Sequence, residues 1–273
     1  MKITVLGTGT STGVPVPGCD CPVCQSDNPR NQRFRCSIHI ELQNTDLPKA
    51  SDSTESVGSI LIDTAPDLRS QALAFGIRDV RSVLYTHSHA DHCHGIDDLR
   101  VFNFINKSRI PVYAAEPDFS ELEEKFSYVF KDNPRYQGGA TAKLDLIKIE
   151  ALKSFNLFGV DVLPIPIFHG DNPILGFRIG DFAYLTDCSR IPEESLEKLR
   201  GLEQLIIDGL RDRPHPTHMT VDNALSQIKK LEPKHAWLTH ISHELEHEEA
   251  NQRIRKMGYS NVELAYDGLV LNI

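Results

Sequence analysis

Thr86-His87-Ser88-His89-Ala90-Asp91-His92 is the stretch on which the reading of this chain turns. Four side chains able to ligate a metal fall within six residues, directly after the apolar run 82–85. A loop dense in imidazole and carboxylate builds a poor core, but the end of a strand is a rigid place from which to present several ligands at once. His87 and His89, two apart, can point into one metal site, while Asp91 and His92, on the next turn of chain, can face a second. Imidazoles suit a borderline ion such as zinc, and carboxylates keep manganese or iron open.

Outward from this loop, apolar β-branched runs at 3–6, 37–42, 59–63, 82–86, 111–114, 160–167, 177–186, 205–208, 236–239 and 262–273 read as strands. Asp181 and Asp267-Gly268 mark hairpin turns. Helical patterns occupy 117–130, 192–200, 220–231 and 246–257; the third opens on a capping Thr220, aligns Ala224, Leu225, Ile228 and Leu231 on one stripe, and stops before Pro233. The polar, Ser-rich stretch 44–58 reads as a surface loop between two strands, and 131–141 as another.

Composition narrows the classes. The 273 residues are long enough to bury a large core, and the chain reads as a single domain over 1–273. Lys and Arg number 29 against 38 Asp and Glu, a net charge of −9, which argues against holding nucleic acid on a broad phosphate-neutralising surface. No apolar run reaches the length of a membrane span. Residues 1–7 read as a first strand and not as a signal peptide, so the expected compartment is the cytoplasm. Histidine is abundant, at 12, beside six cysteines, and Cys19, Cys21 and Cys24 cluster within six residues. In a chain read as cytoplasmic, such a cluster points to a metal site before a disulfide framework. With His243, three residues past His240, it offers the three thiolates and one imidazole of a closed tetrahedral zinc site.

The His-x-His-x-Asp-His run resembles the signature of the metallo-β-lactamase superfamily, and further pieces follow in order: Asp63, His169, Asp187 and His240, each at the end of an apolar run. The resemblance spans the chain and implies an α/β (α+β) fold, the αββα four-layer sandwich, with the ligands gathered along one rim. By this likeness His87, His89 and His169 take one divalent ion, Asp91, His92 and His240 take a second, and Asp187 bridges the two, the ions being zinc or manganese. Asp63 orients ligands without being one. The Cys-x-Cys-x2-Cys run with His243, the Gly7-Thr-Gly-Thr-Ser-Thr-Gly13 start and Tyr266-Asp-Gly268 look like the PhnP-type cyclic phosphate phosphodiesterases, which implies one structural zinc on Cys19, Cys21, Cys24 and His243. His218 matches the additional active-site histidine of the phosphodiesterase and tRNase Z branches, with the role of donating a proton to the leaving oxygen or holding a phosphate oxygen. Catalysis is thus expected from Asp91 and His218, and Ser11 and Thr12 are weaker candidates for substrate contact.

The implied activity is hydrolysis of a small, cyclic phosphodiester such as a phosphoribosyl 1,2-cyclic phosphate, through a hydroxide held by the metal pair. The expected partners are that substrate and, from the likeness, a second copy in a homodimer, with no membrane and no nucleic acid. Three rivals share features of the centre: a tRNase Z-like nuclease, a thioester or lactone hydrolase of glyoxalase II type, and a non-catalytic metal or phosphate binder. His39, His94, His215, His235 and His247 fit no motif and are expected on the surface or in the core, and Cys36, Cys93 and Cys188 read as small buried thiols.

Overall fold

The structure, a computed structural model, describes residues 1–43, 57–131 and 141–273. In chain order its strands are β1 (Lys2–Gly7), β2 (Ser37–Gln43), β3 (Val57–Ile62), β4 (Ser82–Leu84), β5 (Ile110–Ala114), β6 (Leu144–Lys148), β7 (Phe155–Leu157), β8 (Val160–His169), β9 (Asn172–Ile179), β10 (Phe182–Leu185), β11 (Gln204–Asp208), β12 (His235–Thr239), β13 (Val262–Leu264) and β14 (Val270–Asn272). They form two seven-stranded sheets, ordered β14-β1-β2-β3-β4-β5-β6 and β13-β12-β11-β10-β9-β8-β7. Strands β3 to β6 run parallel, as do β10 to β13; the remaining pairings are antiparallel. The helices are α1 (Leu68–Phe75), α2 (Ala90–Cys93), α3 (Arg100–Asn106), α4 (Asp118–Lys125), α5 (Ser127–Phe130), α6 (Glu193–Lys198), α7 (Val221–Leu231) and α8 (His247–Lys256).

Alternation along each strand explains the layers, because successive side chains point to opposite faces. Ile60 and Ile62 face the second sheet and pack with Ile38, Phe177, Tyr184 and Ile206, whereas Leu61 between them faces outward to Val83, Tyr85, Leu99 and Phe102. On the second sheet Ile206 points inward, while Leu205 and Ile207 meet Ala224, Leu225 and Ile228 of α7. Both faces of both sheets are therefore covered, giving helix, sheet, sheet, helix, and the strands read as nearly continuous apolar runs. Pro164 and Pro166 sit in β8 without cost to the ladder, since β7 pairs only as far as Val162 and the outer edge beyond it needs no donor.

Helix α7 forms as its pattern predicts: Val221, Ala224, Leu225, Ile228 and Leu231 are buried on one stripe, and the Thr220 hydroxyl accepts from the Asn223 N–H at 3.1 Å. Removing that cap by Thr220→Ala leaves an orphan donor, so unfolding free energy should fall by about 1 kcal/mol. Denaturant unfolding checks this through a lowered midpoint at constant slope.

Some sequence readings are corrected. The run 177–186 divides at the predicted Asp181 turn, where Gly180, at φ 58°, and Asp181 carry the chain from β9 into β10. The run 262–273 splits at the predicted Asp267-Gly268 turn, and its halves join different sheets, β13 beside β12 and β14 beside β1. The helix read over 117–130 breaks at Phe126 into α4 and α5. The loop read over 44–58 gives up Val57 and Gly58 to β3; its residues 44–56, like 132–140 of the second loop, lie outside the described residues. No helix among the described residues is long and apolar enough to cross a membrane.

Strand direction then makes the rim. The chain leaves β3, β4, β8, β10, β11 and β12 at the same edge, immediately before or at Asp63, Thr86–His92, His169, Asp187, Asp208 and His240. Three of these, Asp63 (φ 63°), Asp187 (φ 55°) and His240 (φ 58°), adopt the left-handed conformation, which swings the chain sharply off the strand end. Asp and His tolerate this region better than most residues, and strain of this kind gathers at functional sites.

Candidate metal centre

Asp91, His92, Asp187 and His240 meet at the rim, one ligand atom from each lying within 4.8 Å of the others. Asp187 faces several imidazoles at once: Oδ1 is 3.1 Å from His92 Nε2, and Oδ2 is 3.3 Å from His240 Nε2 and 3.8 Å from His87 Nε2. Asp91 Oδ2 lies 3.4 Å from His92 Nε2 and 3.7 Å from His240 Nε2. The other half of the expected set is gathered more loosely. The ring of His87 is 4.5 Å from that of His89 and 5.6 Å from that of His169, and His89 and His169 are 5.1 Å apart. His169 and Asp187 also form a tight group with His218.

The hydrogen bonds behind the rings fix which nitrogen each ring presents. A carboxylate or carbonyl can only accept, so the ring nitrogen facing it carries the proton. His92 Nδ1 donates to Asp63 Oδ2 at 2.8 Å, and His169 Nδ1 donates to the Asp187 carbonyl at 3.0 Å. Thr86 gives its hydroxyl proton to Asp63 Oδ2 at 2.8 Å, so its oxygen accepts from His87 Nδ1 at 3.0 Å. In its neutral form each of these rings presents an Nε2 lone pair. Asp63 is itself fully buried and also accepts the Thr86 N–H at 2.9 Å, which holds the orienting carboxylate in place.

The donor set fits divalent cations on two observations. His87 Nε2, His92 Nε2 and both nitrogens of His240 are buried without a hydrogen-bond partner, the short approaches to Asp187 being misaligned for one. Burying so many polar atoms unpaired is costly unless something else binds them. The electrostatics point the same way. Burial opposes charge on His92, yet Asp187, Asp91 and Asp63 hold its imidazole well above the usual range. Against burial, His240 and His92 hold Asp187 well below the carboxylate range, and His92 does the same for Asp91. Burial keeps His169 down at about 4, hence neutral and able to ligate. The centre is built to stabilise positive charge on nitrogen and oxygen donors.

A second cluster joins Cys19, Cys21, Cys24 and His243, again within 4.8 Å. The His243 Nδ1 lies 3.2, 3.4 and 3.5 Å from the three sulfurs in that order. The Cys24 N–H lowers the Cys21 thiol to about 6, while burial and the neighbouring sulfurs push Cys24 up to about 11. Sulfurs that oppose one another's ionisation in this way suit a cation that would satisfy all of them. The loop carrying them is also zipped to the His240 segment by backbone: Ile241 N–H donates to Thr8 O at 2.7 Å, and buried Arg33 donates to the Ser242 and Leu245 carbonyls, each at 2.9 Å. Gly7, at the start of that loop, lets β1 close on the chain leading into β2, as a Cβ there would stand 2.0 Å from the Arg35 carbonyl oxygen.

His218 stands beside the first cluster, its ring stacked on His240 at 4.5 Å and edge-on to His169 at 4.7 Å. Its Nδ1 donates to Asp208 Oδ2 at 2.7 Å. Asp208 was not among the sequence candidates, although it ends an apolar strand as Asp63 and Asp187 do. It is fully buried and accepts further from the N–H groups of Cys188 and Met219. Thr86 was missed as well, and so was His215, whose ring lies 5.0 Å from that of His218. Cys36, Cys93 and Cys188 are buried thiols that donate to carbonyls of Gly9, Ser88 and Arg190. Ser11 and Thr12 are exposed in a turn.

Comparison with known proteins agrees with this geometry. The description "Beta-lactamase superfamily domain" matches residues 59–241. The crystal structure of a new diphosphatase from the PhnP family is 41% identical, with a TM-score of 0.85 over 100% of this chain and 97% of that one. A protein of Porphyromonas gingivalis (strain ATCC BAA-308 / W83) named octanoyltransferase is 37% identical over 270 residues, 98% of this chain but 51% of that protein, so the chain spans about half the length of this curated relative. Human tRNase Z, short form, is 19% identical with a TM-score of 0.66 over 100% of this chain and 99% of its own, a likeness of fold alone.

Proposed function

The chain belongs to the β-lactamase superfamily and, within it, to the PhnP family, and is a metal-dependent hydrolase; from that premise we propose that it hydrolyses a small phosphodiester, of cyclic type such as a phosphoribosyl 1,2-cyclic phosphate. In this reading His87, His89 and His169 hold one divalent ion, Asp91, His92 and His240 hold another, and Asp187 serves both, with a zinc on Cys19, Cys21, Cys24 and His243. When bound, the two active-site cations supply Lewis acidity, acidifying water and neutralising phosphoryl oxygens. The protein's share is orientation. Asp63, directly and through Thr86, fixes the rings of His92 and His87, and the Asp187 carbonyl fixes that of His169.

The observation that carries the reading is the His218–Asp208 pair at the edge of the cluster. With Nδ1–H donated to a buried carboxylate, the His218 ring is held in one orientation and Nε2 is the nitrogen left to pass a proton to a departing alkoxide. His218→Ala should therefore lower kcat about a hundredfold or more on an alkyl phosphodiester. The loss should be far smaller on bis-p-nitrophenyl phosphate, whose leaving group needs no proton. Equal losses on both, or a lost active-site ion, would overturn the assignment.

A second reading, cleavage of a diphosphate bond, is favoured by the name of the 41%-identical relative. A tRNA-cleaving role gains little from a chain of net charge −9. The name octanoyltransferase belongs to a protein about half of which this chain spans, and the Cys188 thiol next to Asp187 is wholly buried, poorly placed for acyl transfer. The deciding experiment is a turnover panel with added zinc or manganese. It compares bis-p-nitrophenyl phosphate, 2′,3′-cyclic nucleotides, phosphoribosyl 1,2-cyclic phosphate, a nucleoside diphosphate ester, a thioester and pre-tRNA. Turnover confined to the thioester would end the phosphoester reading.

A further inference from the structure

Ser88 lies between two of the histidines in the loop, and every polar group it owns is taken by neighbours behind the site. Its N–H donates to Asp118 Oδ1 at 2.8 Å, its hydroxyl donates to Glu121 Oε2 at 2.5 Å, and its carbonyl accepts from Lys125 Nζ at 2.8 Å and from the Cys93 thiol at 3.2 Å. Asp118, Glu121 and Lys125 recur at three and four residues along α4, so one stripe of a single helix makes three of the four bonds. Lys125 also donates to Glu121 at 3.0 Å, closing the stripe on itself. Ser88 is 3% exposed and Asp118 9%, so water offers little competition for the bonds at the loop.

The two backbone bonds matter most. The N–H that Asp118 holds belongs to the peptide joining His87 to Ser88, and the carbonyl that Lys125 holds belongs to the peptide joining Ser88 to His89. With both peptide planes pinned, the Cα–Cβ directions of His87 and His89 are set relative to each other. His87 has a further anchor through Thr86, but no ring hydrogen bond to a neighbour is seen for His89 among the described residues. Its direction rests on the backbone that α4 holds.

We propose that Asp118, with Glu121 and Lys125, is a positioning residue that sets the spacing of His87 and His89 and so the affinity of the centre for the ion those two share. This rests on the metal assignment proposed above. Partners that orient ligands in this way change metal affinity by about 10–100-fold when removed.

The test titrates zinc alone into the chelator-stripped full-length protein, with a competing chelator to read affinity. Asp118→Ala should weaken one ion of the His/Asp centre by at least about tenfold and leave the other ions at wild-type affinity. Asp118→Asn, whose Oδ1 still accepts an N–H, should stay within about threefold of wild type. Glu121→Ala, at an exposed helix position, should show a smaller loss in the same ion and serves as the second arm if Asp118→Ala fails to fold. Excess zinc should restore kcat to Asp118→Ala, which a general loss of structure would not allow. A folded Asp118→Ala or Glu121→Ala with unchanged zinc affinity would overturn the proposal, as would Asp118→Asn falling as far as Asp118→Ala. If the wild-type protein itself binds no ion outside the cysteine cluster, the metal assignment fails and takes the clamp with it, an outcome distinct from variants that bind as the wild type does.

Discussion

Replacing Asp187 by alanine should reduce hydrolysis to background, a fall in kcat of about 10⁴-fold or more, while the cysteine cluster keeps its ion. The size follows from position. Asp187 is the carboxylate that approaches His87, His92 and His240 at once, through Oδ1 at 3.1 Å on one side and Oδ2 at 3.3 and 3.8 Å on the other. Without it Asp91 is the one carboxylate left among the proposed ligands, too little negative charge in direct contact to hold a pair of dications in a desolvated site. Charge stabilisation by bound metals is worth several kcal/mol in a transition state, and each 1.36 kcal/mol is a factor of ten in rate. Asp187 also sits at φ 55°, where alanine is strained. Asp187→Asn, which tolerates that backbone, separates loss of charge from a distorted turn. Both variants should lose activity and at least one active-site ion by elemental analysis, at a melting temperature within a few degrees of wild type for the asparagine. Activity within tenfold of wild type in Asp187→Asn would remove Asp187 from the centre.

How far the sequence could be read is a question of which signals are local. The ligand-bearing rim was legible because the His-x-His-x-Asp-His run and the ordered Asp63, His169, Asp187 and His240 resemble the superfamily's motifs, and they end or follow apolar runs whose like ends a β/α sandwich brings to one edge. Asp208 carries that signal too, at the end of β11, but it lies beside no histidine motif; its importance appears only when the chain brings His218 back to it, ten residues on, at 2.7 Å. Thr86 was invisible for a related reason: a threonine relaying from His87 to Asp63 is a three-dimensional fact. The elements β7 and α2, of three and four residues, hold too few for periodicity to separate them from loops, and β6, α1 and α3 went unread as well. The splitting of 262–273 between two sheets shows a different limit. Asp267-Gly268 marks the turn, but no local feature says that Val270–Asn272 crosses to pair with β1. The four residues of the cysteine cluster were legible by spacing, whereas the buried Arg33 that ties the same loops was not, since one arginine in a polar stretch carries no signature.

That tie shapes what Cys21→Ser should do. The substitution removes one of the three sulfurs around His243, and elemental analysis should find one zinc fewer per chain. Structural zinc contributes roughly 10–16 kcal/mol of apparent binding energy in peptides that are unfolded without it. This chain has its own core on both faces of two sheets, so the loss should express itself through mass action. Zinc at roughly a thousand times its dissociation constant stabilises by about 4 kcal/mol, on the order of ten degrees in Tm for a chain of this size. The variant should nevertheless fold, because Thr8 and Ile241 stay joined by backbone and Arg33 still holds Ser242 and Leu245. His240, three residues from His243, then keeps its place at low temperature, and kcat there should stay within about tenfold of wild type before collapsing at a lower temperature. Stripped of all metal, the wild-type protein and Cys21→Ser should melt alike, and on readdition of zinc the wild type should rise further than the variant, by the share of the cysteine cluster. A wild-type metal count in Cys21→Ser, or a melt that ignores zinc in the wild type, would mean that the four side chains converge without forming a site.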